Sequence, residues 1–118
     1  EEVLLPLNRR EPIEYRPFDC STGSITFSTR VMPKPLTVIE GAYSMHPYFG
    51  EYYNLSVFLD IDPDFQKKRI EKRNSPAFAK RFFEEWIPLE VRYFEKTEIK
   101  KRAGLVIPIN AKILFRNY

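Results

Sequence analysis

The chain is poor in the residues on which several chemistries depend. Its 118 residues include one cysteine (Cys20), one histidine (His46), one tryptophan and four glycines. A lone Cys20 forbids an internal disulfide and suits a reducing, cytoplasmic setting. One His and one Cys cannot build a zinc cluster. A Cys20–His46 nucleophilic pair stays open at this level, with no residue pattern in its support. Ser21 and Ser24 have no recognisable base. No apolar run approaches the roughly 20 residues of a membrane span, and no signal-peptide pattern occurs. The glycines are scattered at 23, 41, 50 and 104, so Gly-x-x-x-x-Gly-Lys-Ser/Thr is absent. Without such a loop no ring of backbone N–H groups can cradle a triphosphate.

What is present suits a folded domain. Hydrophobic residues make up 43% and aromatics 15% of the chain, which argues against disorder and for one core. The net charge of +3 is unevenly placed: Gln66 to Arg102 holds twelve Lys/Arg against six Glu, and the remainder seven against ten acids. A basic lobe suits phosphates or nucleic acid. Beyond Arg81, however, Glu84, Glu85, Glu90, Glu95 and Glu98 interleave with the cations, the mark of a solvated helix face, so nucleic acid is not an expected partner.

Two segments read as buried strands ending in an acid. Thr37-Val38-Ile39-Glu40-Gly41 has three β-branched residues, then a carboxylate, then a glycine that lets the backbone turn out. Leu55-Ser56-Val57-Phe58-Leu59-Asp60 repeats the pattern. Asp62-Pro63-Asp64 then opens a helix, with Asp62 at the N-cap, Pro63 in the first turn and Asp64 at the positive dipole end. That helix carries Lys67, Lys68, Arg69, Lys72 and Arg73. In open α/β sheets ligands gather at the carboxyl ends of the strands. A carboxylate there, beside an arginine-bearing helix, is what phosphoryl transfer needs, for metal and for phosphoryl charge respectively. Asp60, Asp62, Asp64 and Glu71 mimic a calcium loop, but Phe65 stands where that loop requires glycine.

Glu40-Gly41-Ala42-Tyr43, Phe58-Leu59-Asp60-Ile61-Asp62-Pro63-Asp64 and Lys68-Arg69-Ile70-Glu71-Lys72-Arg73-Asn74 together resemble the uridine kinase and phosphoribulokinase group of P-loop kinases. Pro17-Phe18-Asp19-Cys20-Ser21 stands where that group has its Pro-x-Tyr-Asp-Phe acceptor loop, and Ala103-Gly104-Leu105-Val106-Ile107 resembles its closing strand. The resemblance implies an α/β, three-layer P-loop kinase fold with parallel strands, a lid helix and a long C-terminal helix. It implies Mg²⁺ and ATP as cofactors, with Glu40 holding the metal and Arg69 and Arg73 on the phosphates. Lys72, Phe18, Asp19 and Arg16 are then expected around a small hydroxyl acceptor. Phe18 in place of the tyrosine, and Ser21-Thr22-Gly23-Ser24 in place of a downstream histidine, depart from the uridine pattern and leave the acceptor open.

Given the absent phosphate loop, the chain is expected to be the C-terminal portion of a longer kinase and inactive alone. The other function class is a non-catalytic nucleotide- or partner-binding module. An unpaired sheet edge would also leave homo-oligomer formation open.

The expected order is a helix end and acceptor-loop hairpin (1–36), core strands (37–65), lid and long helix (66–104), and a last strand with tail (105–118), all in one partial domain. Ile13–Arg16 and Ser24–Ser28 read as short strands, and His46–Tyr53 as an aromatic loop or short helix. Ser75-Pro76 caps a helix whose Phe78, Phe82, Trp86, Leu89 and Tyr93 form one apolar face. Pro88 is expected to kink or split it after Ile87. The segment from Asn110 to Tyr118 is open between strand and helix.

Overall fold

Local signals set most of the elements in this computed structural model, which describes residues 2–19 and 22–110. Contacts group the chain into two units, Glu1–Gly41 and Ala42–Tyr118. The single core expected from chain length is replaced by a few buried side chains: Ile13 in the first unit, and Ile70, Ala79 and Ile99 in the second.

The first unit opens with α1 (Leu4–Asn8), a short turn of helix ending as expected near Asn8. A nested antiparallel ribbon follows. Its outer pair is β1 (Ile13–Tyr15) with β4 (Thr29–Val31), and its inner pair is β2 (Phe18–Asp19) with β3 (Ser24–Ile25). Between the two pairs, Pro17 cannot donate a ladder hydrogen bond. Its carbonyl is satisfied instead by the Thr26 N–H (2.8 Å) and hydroxyl (3.0 Å). Gly23 takes φ +66°, the left-handed conformation that closes this hairpin.

The buried strand expected at Thr37–Glu40 does not form. These residues have no ladder partner, and Val38 is 79% exposed. β-branched residues favour extended backbone, but a strand exists only through inter-strand bonds, and no described strand lies against this one. Gly41 does take the expected role, with φ +154° beyond the reach of most L side chains.

The second unit is a mixed α/β arrangement. A 3₁₀ turn over Pro47–Phe49 fills part of the aromatic segment. Next come β5 (Val57–Ile61), α2 (Pro63–Arg73), α3 (Pro76–Arg81), a π-helical turn (Phe82–Trp86), α4 (Ile87–Thr97), α5 (Ile99–Arg102) and β6 (Leu105–Ile109). β5 and β6 pair in parallel, Val57 opposite Leu105 through Ile61 opposite Ile109. The helical crossover between them covers one face. There Phe58 packs edge-on against Phe94 at 5.1 Å, and Asp60 accepts from Lys100 at 2.7 Å.

Both helix starts follow the sequence signals. Asp62 caps α2 by accepting from the Phe65 N–H (2.9 Å), and Ser75 caps α3 at Phe78 (3.4 Å). Pro88 does not split the helix. It falls in the first turn of α4, directly after the π turn. A wider π turn tolerates the missing Pro88 N–H and the ring's bulk without a break. Phe78, Phe82 and Trp86 cluster edge-to-face at 4.5–5.6 Å, whereas Leu89 is 54% exposed and lies off the packed face. The expectation for 111–118 lies outside the described residues.

Candidate functional site

The sequence-predicted residues fall into three groups. In the ribbon, Phe18 is paired across the ladder with Ile25, and both are about 60% exposed (61% and 60%). Asp19 closes β2 beside it. Arg16 is not an open anion site: its backbone N–H, Nε and guanidinium all donate to the Glu2 carboxylate. That pairing lowers the Glu2 carboxyl below its usual range and raises the Arg16 guanidinium. The partner is fourteen residues away, beyond the reach of local pattern reading.

Glu40 is exposed, in the non-strand segment that ends the first unit. The described residues contain no group of three His, Cys, Asp or Glu side chains able to hold a metal. A lone Glu40 carboxylate therefore does not build a metal site. It suits Mg²⁺ only where phosphates bring the ion, since Mg²⁺ keeps most of its shell from water and phosphate. Two of the four calcium-like acids are otherwise engaged, Asp60 by Lys100 and Asp62 as the α2 cap.

The third group lies on α2 in the second unit, and here the structure brings residues together. Lys67, Lys68, Arg69, Lys72 and Arg73 are all exposed, while Ile70 is the buried residue of this helix. Arg69, Lys72 and Arg73 share one face at spacings of three and four residues, and Lys68 stands four before Lys72. Among the described residues none of these five cations has an ion-pair partner. The ion pairs lie elsewhere: Glu2–Arg16, Asp60–Lys100, Lys80–Glu84, Arg81–Glu85 and Glu98–Lys101. Arg69 and Arg73 are steadied by rings instead, over Phe65 at 5.8 Å and Phe82 at 5.9 Å. A cation–π contact uses the guanidinium face and leaves its N–H edge for an anion.

Like charges at i,i+4 repel by about 0.2–0.5 kcal/mol per pair. Lys68–Lys72 and Arg69–Arg73 are two such pairs, and a bound polyanion would relieve both. The α2 N-terminus is not the anion contact, because Asp62 and Asp64 occupy it. A groove of about 460 Å³ opens between α2 and α3, but Glu71 and Glu84 stand on its wall with Lys80 already paired, so it disfavours phosphate. Lys68 was not among the sequence-predicted site residues, although its spacing to Lys72 was visible.

His46 serves the packing. Its Nδ1 accepts from the Tyr48 N–H at 3.1 Å, and its ring stacks on Tyr93 at 5.6 Å and 11°. Cys20, its sequence-level partner, lies outside the described residues. No protein-family model matches the chain, and no curated protein matches it. No helix among the described residues is long and apolar enough to cross a membrane.

Proposed function

We propose that this chain is the acceptor- and phosphate-facing portion of a phosphotransferase of the uridine kinase type, which moves the γ-phosphoryl group of ATP to a small hydroxyl acceptor. The single observation that carries this reading is the uncompensated cation row on α2, which follows the carboxyl end of a parallel strand after the one-residue joint at Asp62. Arg69, Arg73 and Lys72 neutralise charge on the polyphosphate, with Lys68 extending the row. Such cations matter most where negative charge redistributes during transfer.

On the resemblance, Phe18 and Asp19 in the first unit correspond to the acceptor loop, and Phe18 offers an exposed ring there. Glu40 enters on the resemblance alone; Mg²⁺ arriving with the nucleotide would supply charge neutralisation at the phosphates. The P-loop kinase fold enters the proposal on the resemblance alone, and residues 37–40, which are coil, contribute no strand to it. As it stands the chain has no phosphate-cradling loop, so it binds polyphosphate without turnover.

The second reading, a non-catalytic nucleotide- or partner-binding module, is favoured by that missing loop and draws on the same cations. An assay of γ-phosphoryl transfer from ATP to a nucleoside and sugar panel, using the protein as its gene encodes it, separates the two. The kinase reading expects transfer that falls at least about 100-fold in Arg73→Gln, the scale of losing one charge contact in a transition state. Transfer unaffected by Arg73→Gln and Arg69→Gln would overturn it. ATP binding with no transfer to any acceptor would select the binding module.

A further inference from the structure

The two edges of the parallel sheet are chemically unlike. Leu105 N–H donates to the Ser56 carbonyl (3.0 Å), and Asp62 N–H donates to the Ile109 carbonyl (2.9 Å). With the register Val57–Leu105 to Ile61–Ile109, even-numbered β5 residues turn their backbone groups toward β6. The N–H and C=O groups of Val57, Leu59 and Ile61 therefore point outward, with no partner among the described residues. On β6 the outward residues are Val106 and Pro108. Pro108 has no N–H, so that edge cannot extend a full ladder. The β5 edge has neither proline nor bulge, and its one charge, Asp60, lies on the helix-covered face, paired with Lys100. The side chains of the same three residues belong to the sheet face away from the helices, where Leu59 is 59% and Leu105 47% exposed.

We infer that the β5 edge is a self-association surface, taken by the β5 edge of a second copy of this chain. The open donors and acceptors are symmetric about Leu59. Antiparallel pairing across a two-fold axis would match Leu59 with Leu59, and Val57 with Ile61, satisfying all three residues on each side. The edge positions hold no charge to repel their two-fold mates. The joined sheet would run β6-β5-β5-β6, ending at both outer edges on Pro108. This inference does not depend on the phosphotransferase reading.

The test uses the 118-residue chain. Sedimentation from about 1 to about 100 µM should show a species of twice the 14.1 kDa chain mass, only weakly sensitive to salt because the three facing residues are uncharged and Asp60 is paired with Lys100. Leu59→Lys should weaken the dimer at least about tenfold, since an edge lysine opposes strand addition. Leu36→Lys, at an 80% exposed apolar site in the other unit, should leave it unchanged. Amide exchange on the unmutated chain keeps the test independent of any variant's folding. The Val57, Leu59 and Ile61 amides should slow as concentration rises, while those of Phe58 and Asp60 stay protected throughout. A monomer at every concentration would overturn the proposal and leave the edge to a different strand. So would a dimer that persists in Leu59→Lys, or one lost equally in Leu36→Lys.

Discussion

Asp62 joins the strand pair to the cationic helix by two separable bonds. Its backbone N–H donates to Ile109 at the end of β6, and its side chain accepts from the Phe65 N–H at 2.9 Å to cap α2. Asp62→Ala removes the cap and spares the backbone link. Losing an N-cap costs about 0.5–2 kcal/mol, typically about 1. Asp62→Asn keeps an accepting oxygen but loses the charge at the dipole's positive end, worth about 0.3–1 kcal/mol at an exposed site. The expected order is therefore wild type, then Asn, then Ala, with the Ala variant about twice as costly as Asn. Urea unfolding followed by far-ultraviolet dichroism, with amide exchange at Phe65, supplies the comparison. Exchange at Phe65 should accelerate in Asp62→Ala and only slightly in Asp62→Asn. Equal losses in the two variants, or no loss in either, would refute the assignment of Asp62 as a hydrogen-bonding cap.

Ile99→Ala and Ile70→Ala each empty a buried site (2% and 5% exposed) and should cost about 2–5 kcal/mol, against under about 1 for Leu89→Ala on the exposed side; urea midpoints check this. Burial holds the Glu90 carboxyl above the ordinary glutamate range. The folded state then keeps its proton where the unfolded chain has lost it, so this contribution is complete below the unfolded pKa and fades as pH rises through the folded one. Glu90→Gln should accordingly raise the unfolding free energy read from urea titration at neutral pH, by less than about 1 kcal/mol given partial exposure, and not at about pH 4. A gain equal at both pH values would contradict that sign.

Elements with local causes were legible in the sequence. Asp62-Pro63-Asp64 and Ser75-Pro76 announce helix starts through groups within three residues, and both caps form. The apolar runs at 57–61 and 105–109 become strands because each supplies the other's ladder. Thr37–Glu40 has the same composition and no described partner, which composition cannot reveal. Pro88 was legible as a perturbation, but composition does not say whether the helix breaks there or continues through a π turn. At the candidate site, the density of cations on α2 was written in the sequence. That Arg16 is neutralised by Glu2, and Asp60 by Lys100, depends on pairs 14 and 40 residues apart. Those long-range pairs, by using up some charges, are what make the α2 row stand out.

On the proposed function, the unpaired α2 cations, rather than the chain's net charge, recognise polyphosphate. Calorimetric titration of the chain with inorganic tripolyphosphate tests it by comparing Arg69→Gln/Lys72→Gln/Arg73→Gln with Lys80→Gln/Arg81→Gln, whose cations are already paired. The first set should lose at least about 30-fold, roughly 2 kcal/mol over three exposed charge contacts, and the second under about threefold. Equal losses in the two sets, or unchanged binding in the first, would contradict it.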